Sequence, residues 1–302
     1  MQGPTSLQRC LLGLRRNPAY WLMLPLFGIA LTVFVGCVLY SLLLSFTDSK
    51  LLPSYVFVEF KQYARLFISS RWTTSLQNLI IFGALYIVGC LVLGTLLAIA
   101  LDQKVRGENW FRTLFLYPHA LSYVVTGLAW QWLLNPAFGI QALVRDTGWE
   151  SFTFDWLVNS ETVIFAIIIA ALWQGSGFIM ALMLASLRSV DPEIWRATRI
   201  DGVPAWRTYW SVVLPSLAPM ITFCIVLLGV SVVKSYDLVV AMTNGGPGIA
   251  SELPAKFVVD HLFERNNIGL AMAGAGMLLV SVLCAAAPLW VLAAIRKRGA
   301  NQ

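Results

Sequence analysis

Charged side chains are scarce in this chain. Asp, Glu, Lys and Arg together make up 12% of its 302 residues, too few to give a folded domain of this size an ordinary water-facing surface. Histidine is scarcer still. His119 and His261 are the only two, and no cysteine, serine or carboxylate stands near either at a spacing that would pair a nucleophile with its base. Both imidazoles read as packing or interfacial groups, and catalysis has no constellation to rest on. No Gly-rich segment ends in Gly-Lys-Ser or Gly-Lys-Thr, so the phosphate cradle of an ATPase is missing. Cysteine offers neither a disulfide framework nor metal-ligand spacing: Cys37, Cys90, Cys224 and Cys284 fall inside apolar runs and Cys10 in a basic leader. Low-complexity tracts and internal repeats are absent too. The leader Met1–Tyr20 and the segments Thr47–Ser75 and Asn135–Thr162 are each too short for a core of their own.

What fills the chain is apolar sequence, 58% of the residues. Six runs, about 21–46, 76–101, 114–134, 163–187, 217–233 and 270–295, lie near the roughly 20 residues a helix needs to cross about 30 Å of hydrocarbon. The expectation is an all-α, multi-pass membrane protein, a single domain of six transmembrane helices over 1–302 with both termini on one side. Placing the N-terminus in the cytoplasm puts thirteen of the 21 Lys and Arg inside, among them Arg15, Arg16, Arg106, Arg188, Arg196, Arg199, Arg207 and Arg298. Lys50, Lys61, Arg65 and Arg71, in the first outer loop, run against that bias. Because the basic residues are split among short loops, the net charge of +6 reads as topology and lipid contact, with no face for nucleic acid. The first run is too long for a secretory signal and no small-residue cleavage pattern follows it, so it reads as a retained helix.

One polar stretch breaks this pattern. Residues 191–215, DPEIWRATRIDGVPAWRTYWSVVLP, form a hinge between two apolar runs on the expected cytoplasmic side. Asp191 can cap a helix whose first turn holds Pro192 and Glu193, Gly202 can end it in the left-handed conformation, and Pro204 suits the first turn of a second helix. A helix-turn-helix outside the bilayer is what docking to a soluble partner requires. On the first helix Ile194, Trp195 and Thr198, with Ala197 behind them, supply an apolar or small face, while Glu193, Arg196 and Arg199 reach its rim. Trp195 has a second reading, in which it packs back on its own bundle or sits among headgroups. Trp206, Arg207 and Trp210 read as anchors of the second helix at the lipid boundary.

The segment Arg196-Ala-Thr-Arg-Ile-Asp-Gly202, followed after twelve residues by Pro215 in Val-Val-Leu-Pro, resembles the cytoplasmic loop signature of ABC-importer permeases, usually Glu-Ala-Ala-x-x-Asp-Gly. Asp237-Leu-Val-Val-Ala-Met-Thr-Asn-Gly-Gly-Pro-Gly248 is similar to a second signature, typical of the carbohydrate-uptake branch and of its maltose-type first permease subunit, with the glucose/mannose or α-glucoside group the nearest pattern. Ala197, Asp201 and Gly202 match the loop signature, Thr198 replaces its second alanine, and Arg196 reverses the charge of its leading glutamate. The resemblance implies an inner-membrane permease without chemistry of its own. It also implies a second homologous permease, two ATPase subunits that carry ATP and Mg, and an extracytoplasmic sugar-binding protein. Coupling to the ATPase would fall to Glu193, Ile194, Trp195, Arg196, Ala197, Thr198, Asp201 and Gly202. No cofactor or metal is expected on this chain.

Polar groups at membrane depth are costly unless they face a bundle interior or water, which singles out Gln174, Ser176, Ser231, Lys234 and Ser235. Counting from the two signatures, the resemblance places substrate contacts at Trp173, Gln174, Gly175 and Phe178, and at Ser231, Ser235 and Tyr236. Amides, hydroxyls and aromatic faces suit an uncharged, hydroxyl-rich ligand; the rival reading is close helix packing at Gly175, Ser176 and Gly177. Lys234 and Asp237, three residues apart, suggest a structural ion pair on one helix face. Asn244, Gly245, Gly246 and Pro247 predict a tight outer turn that either receives the binding protein or serves as gate or fold support. An ion- or proton-coupled secondary transporter is the alternative, against which stands the lack of a chain of ionisable groups at mid-membrane.

Overall fold

The computed structural model describes residues 18–103 and 105–299. The leader with Arg9, Cys10, Arg15 and Arg16 lies outside the described residues, as do Lys104 and the side chains of Arg296, Lys297 and Arg298. Among the described residues the regular structure is helical, apart from one isolated antiparallel bridge between Thr47 and Phe57.

The core is organised by two long apolar helices, α3 (Ser70–Asp102) and α7 (Val163–Arg188). Helix α7 is largely buried, with Val163, Ile167, Ala170, Ala171, Ile179, Met183 and Leu187 inside and Phe165, Ile169 and Trp173 exposed along one stripe, the pattern of a helix that its neighbours cover on all but one face. Small residues bring the two backbones close. A Cβ added at Gly94 of α3 would lie 2.7 Å from Ile179 Cγ2, and one at Gly175 of α7 would lie 2.6 Å from the Tyr86 hydroxyl.

Helix α4 (Glu108–Ala120) crosses the other side of α7, where Gly177 passes against the Phe115 carbonyl without room for a side chain. Helix α11 (Ala218–Val233) packs on α3 and on the last helix, α14 (Ile268–Gly299). The first helix, α1 (Pro18–Ser45), packs on α14 and leaves Leu26, Phe27, Leu31 and Phe34 exposed, as suits a face turned to lipid.

Among the described residues three helices, Pro25–Ser45, Ser70–Asp102 and Val163–Arg188, are long and apolar enough to cross a membrane. One of the six expected runs is interrupted and another starts at a sharp bend. The run at 114–134 is two helices, α4 and α5 (Tyr123–Leu133). Pro118 lies in the last turn of α4, Leu121 is extended, and Ser122 restarts the chain by accepting a hydrogen bond from the Val125 N–H. The run at 217–233 is α11, preceded by a segment bent from it by 70°. Pro219 sits in the first turn of α11, where it has no N–H to continue the ladder from the helix before.

Candidate functional site

The polar hinge folds as its residues dictate. Asp191 Oδ1 accepts a hydrogen bond from the Glu193 N–H at 2.9 Å, and Pro192 opens α8 (Pro192–Ile200), as an N-cap and first-turn proline should. Gly202 has φ +66°, and the Val203 N–H reaches back to the Thr198 carbonyl at 3.0 Å, the closing bond of a helix C-terminus stopped by a left-handed residue. Pro204 then caps α9 (Ala205–Thr208), which runs into a π-helical turn at Tyr209–Val213.

The two faces of α8 differ in their surroundings. Ile194, Trp195 and Thr198 are half-buried toward the bundle, with Trp195 on the hydrophobic core and edge-on to Tyr209. Glu193, Arg196, Ala197 and Ile200 occupy the opposite face in the open, Ile200 at 86% exposure. The expected apolar docking face at Ile194, Trp195 and Thr198 is therefore the bundle-facing one, because a large apolar ring gains more from the core beneath it than from water. Asp201 caps the helix end. Trp206 and Trp210 are exposed, with the Arg207 guanidinium 6.0 Å from the Trp206 ring.

Under α8 lies a cavity of about 660 Å³ lined by Asp102, Arg188, Trp195, Arg199 and Tyr209 among others. Arg188 contacts Asp102 at 3.7 Å and Glu108 at 2.8 Å, joining the ends of α3, α4 and α7. The Tyr209 hydroxyl donates to Asp102 at 3.3 Å and accepts from the Gln103 amide at 3.0 Å. Arg188 holds the Glu108 carboxyl below its usual range. Asp102 and Glu108 were passed over in the sequence; the signal was their position at the termini of two apolar runs with Arg188 at a third.

The expected turn is present at the opposite ends of α3 and α7. Helix α12 (Tyr236–Thr243) stops at Asn244, φ +50°, followed by Gly245 at +85°. Ser251 donates to the Gly246 carbonyl at 2.6 Å and its hydroxyl meets that of Thr243 at 2.8 Å. Behind the turn lies a buried charge cluster that sequence reasoning missed. Arg71 of α3 donates to Glu252 at 2.6 Å and also to Asp260, and Lys256 of α13 (Pro254–Val259) donates to Asp260 at 2.8 and 3.0 Å. The signal for it was Arg71 itself, one of four basic residues that run against the charge bias. Burial pushes the Asp260 carboxyl up, but Lys256 and Arg71 outweigh it and hold the group below its ordinary value. Burial raises Glu252 against the pull of Arg71, and burial lowers His261. Asn78 donates to the carbonyls of Ala250 and Glu252.

The candidate path residues fall into two groups. Trp173 is 41% exposed and edge-on to Trp130 at 6.1 Å. Gln174 is buried, its Nε2 donating to the Leu121 carbonyl at 2.8 Å where α4 gives way to α5, and its Oε1 has no partner. Gly175 meets Tyr86 and Cys90, which favours close packing there. Phe178 stacks on His119 with centroids 4.5 Å apart. In the second group Ser231 donates to the Leu227 carbonyl and Ser235 to the Ser231 carbonyl, and Tyr236 is half-buried at the start of α12. Tyr123 lies beside both Tyr86 and Ser231, linking the groups. Lys234 and Asp237 do not pair: Lys234 ends α11 and Asp237 begins α12, so the break between the helices removes the shared face. Among the described residues no cluster of His, Cys, Asp and Glu could hold a metal ion.

Residues 90–298 match the family described as binding-protein-dependent transport system inner membrane component. The chain belongs to this family. Among its relatives, a probable ABC transporter permease protein of Pyrococcus horikoshii is 34% identical over 91% of this chain and 96% of its own. The xylose/arabinose import permease protein XacH of Haloferax volcanii is 32% identical over 89% and 84%. The fold is similar to that in a bacterial ABC transporter involved in the import of the acidic polysaccharide alginate, with TM-score 0.78, 18% identity, and 92% and 96% of the two chains covered.

Proposed function

We propose that this chain is the permease subunit of an ATP-driven sugar importer, passing sugar from an extracytoplasmic binding protein across the cytoplasmic membrane by alternating access. The observation that carries the reading is α8, a capped nine-residue helix that holds Glu193, Arg196, Ala197 and Ile200 clear of an otherwise apolar bundle. With no phosphate cradle in the sequence, ATP and Mg belong on two partner ATPase subunits, which receive this exposed face. A second homologous permease completes the path. Six spans, with the broken pair α4 and α5 counted as one, follow from the lengths of the apolar runs, and cytoplasmic termini from the charge distribution.

Sugar as cargo is supported by the family, by relatives that include a xylose/arabinose import permease, and by the candidate path. Trp173, Gln174, Phe178, Ser231, Ser235 and Tyr236 offer amide, hydroxyl and aromatic groups without charge, which suit an uncharged hydroxyl-rich ligand. Glucose, mannose and small α-glucosides are the first substrates to try. The test is uptake of a labelled sugar panel by vesicles holding this chain with its ATPase, second permease and binding protein. Uptake of one sugar class that needs both ATP and the binding protein is the expected result. Uptake indifferent to ATP, or abolished by collapsing an ion gradient, would instead make the protein an ion- or proton-coupled carrier.

A further inference from the structure

Helix α3 carries a polar clamp at each end. At one end Arg71 ties it to Glu252 and Asp260, partners 181 and 189 residues away in sequence. At the other, Asp102 meets Arg188 and Tyr209. The helix between them has 33 residues, about 50 Å at 1.5 Å per residue.

The first clamp holds the turn. Lys256, bonded to Asp260, also lies against Gly245, where an added Cβ would come within 2.9 Å of its Cε. Ser251 is bonded to Gly246 and Thr243, and Asn78, two helical turns along α3 from Arg71, holds the carbonyls on both sides of Ser251. Turn, charge cluster and the start of α3 are thereby one body. Side chains of the cluster are nearly excluded from water, at 2% exposure for Glu252, 5% for Asp260 and 7% for Lys256, so separating them would leave uncompensated buried charge.

The second clamp holds the hinge. Tyr209 packs on Trp195 of α8 and bonds Asp102, and Arg188 is the last residue of α7 before the hinge begins. Between the clamps α3 and α7 interlock through Gly89 against Leu172, Gly94 against Ile179, and Gly175 against Tyr86. Two closely packed helices joined in this way resist sliding far better than one helix alone.

We propose that Arg71 is a positioning residue for transport: it fixes the turn at Asn244–Gly248 to α3, so that the α3–α7 pair carries displacement between that turn and the hinge helix α8. The proposal rests on the permease reading above and adds to it a route by which arrival of the loaded binding protein at one surface reaches the ATPases at the other. Arg71 needs no contact with sugar for this role.

The experiment uses the complete complex in lipid nanodiscs and reads ATP hydrolysis with and without the sugar-loaded binding protein. Arg71→Met, Asp102→Asn and the double variant are compared with wild type. Each single change is expected to lower the ratio of stimulated to basal hydrolysis at least fivefold, with the double no lower than the worse single, because both interrupt one route. Arg71→Lys, which restores a single charge contact, should recover part of the ratio. If Arg71→Met fails to assemble, Glu252→Gln, which keeps the side-chain shape, must show the same loss. Unchanged ratios, or a double variant that multiplies the two single effects, would overturn the proposal. A wild-type complex that hydrolyses no ATP would overturn the permease reading and this proposal with it, whereas a stimulated wild type with unaffected variants would overturn this proposal alone.

Discussion

Trp195 stands edge-on to Tyr209, ring centroids 5.1 Å apart and planes inclined by 66°. The pair joins the hinge helix to the segment that leads into α11, and through Tyr209 to Asp102 at the end of α3. An aromatic pair of this geometry contributes about 0.5–1.5 kcal/mol beyond the area it buries. Trp195→Ala should therefore loosen α8 against the bundle while sparing Arg196 and Ile200 on the opposite face. The expected outcome is a complex that retains its ATPase but moves less sugar per ATP, with Trp195→Phe close to wild type. Loss of ATPase co-purification in Trp195→Ala would instead put the ring in the partner's groove.

Gly202 offers a cleaner test of the hinge. Its φ of +66° is paired with open space around the position a Cβ would take, so any penalty there is conformational. A β-branched residue held in that region costs about 1–3 kcal/mol, whereas Asn visits it readily. Gly202→Val should reduce recovery of assembled complex and Gly202→Asn should leave it near wild type. Equal recovery of the two variants would show that the left-handed turn is dispensable.

Much of this was legible from the chain. The caps at Asp191 and Gly202 rest on local rules, in which a side chain bonds its own backbone or a glycine adopts positive φ, and local rules can be read without a fold. The long apolar runs were legible for the same reason, since hydrocarbon demands a fixed length of unbroken helix. The breaks at Leu121 and Leu217 were harder, because apolar composition continues through them and only Pro118, Ser122 and Pro219 mark the places. Of the Arg71 cluster only Arg71 itself stood out, against the charge bias: its partners lie about 180 residues on in sequence, and only the folded chain brings them together. The orientation of α8 was open for a related reason. Helical spacing defines a face but does not say whether the core or a partner covers it.

Gly177 and Gly36 make a matched pair for packing. Gly177 of α7 passes directly against the Phe115 carbonyl of α4, while nothing lies within 4 Å of a Cβ built at Gly36 of α1. Overpacking a tight contact costs about 1–3 kcal/mol, and an open helical glycine replaced by Ala gains up to about 1 kcal/mol in helix preference. Thermal unfolding in detergent should show Gly177→Ala melting several degrees lower and Gly36→Ala at or above wild type. A neutral Gly177→Ala would mean that α4 and α7 are not held at this separation.

His261 gives the charge cluster a pH dependence of known sign. It is buried, its Nδ1 is 2.9 Å from the Phe257 carbonyl, and its ring lies 3.9 Å from that of Phe257. Burial, with the nearby charges of Arg265 and Arg71, lowers its affinity for a proton below that of an exposed imidazole, for which the pKa is about 6.5. The unfolded chain therefore binds this proton more readily than the folded one, and stability rises with pH across the interval between the two values. The contribution is complete above the unfolded pKa and is lost as pH falls through the folded one. Asp260, also lowered, acts in the same direction but in the carboxylate range, while the raised Glu252 opposes it there. Melting temperatures of the purified complex should fall between pH 7 and pH 5.5, and His261→Gln, which takes up no proton, should flatten that slope. A slope unchanged by His261→Gln would assign the acid sensitivity to another group.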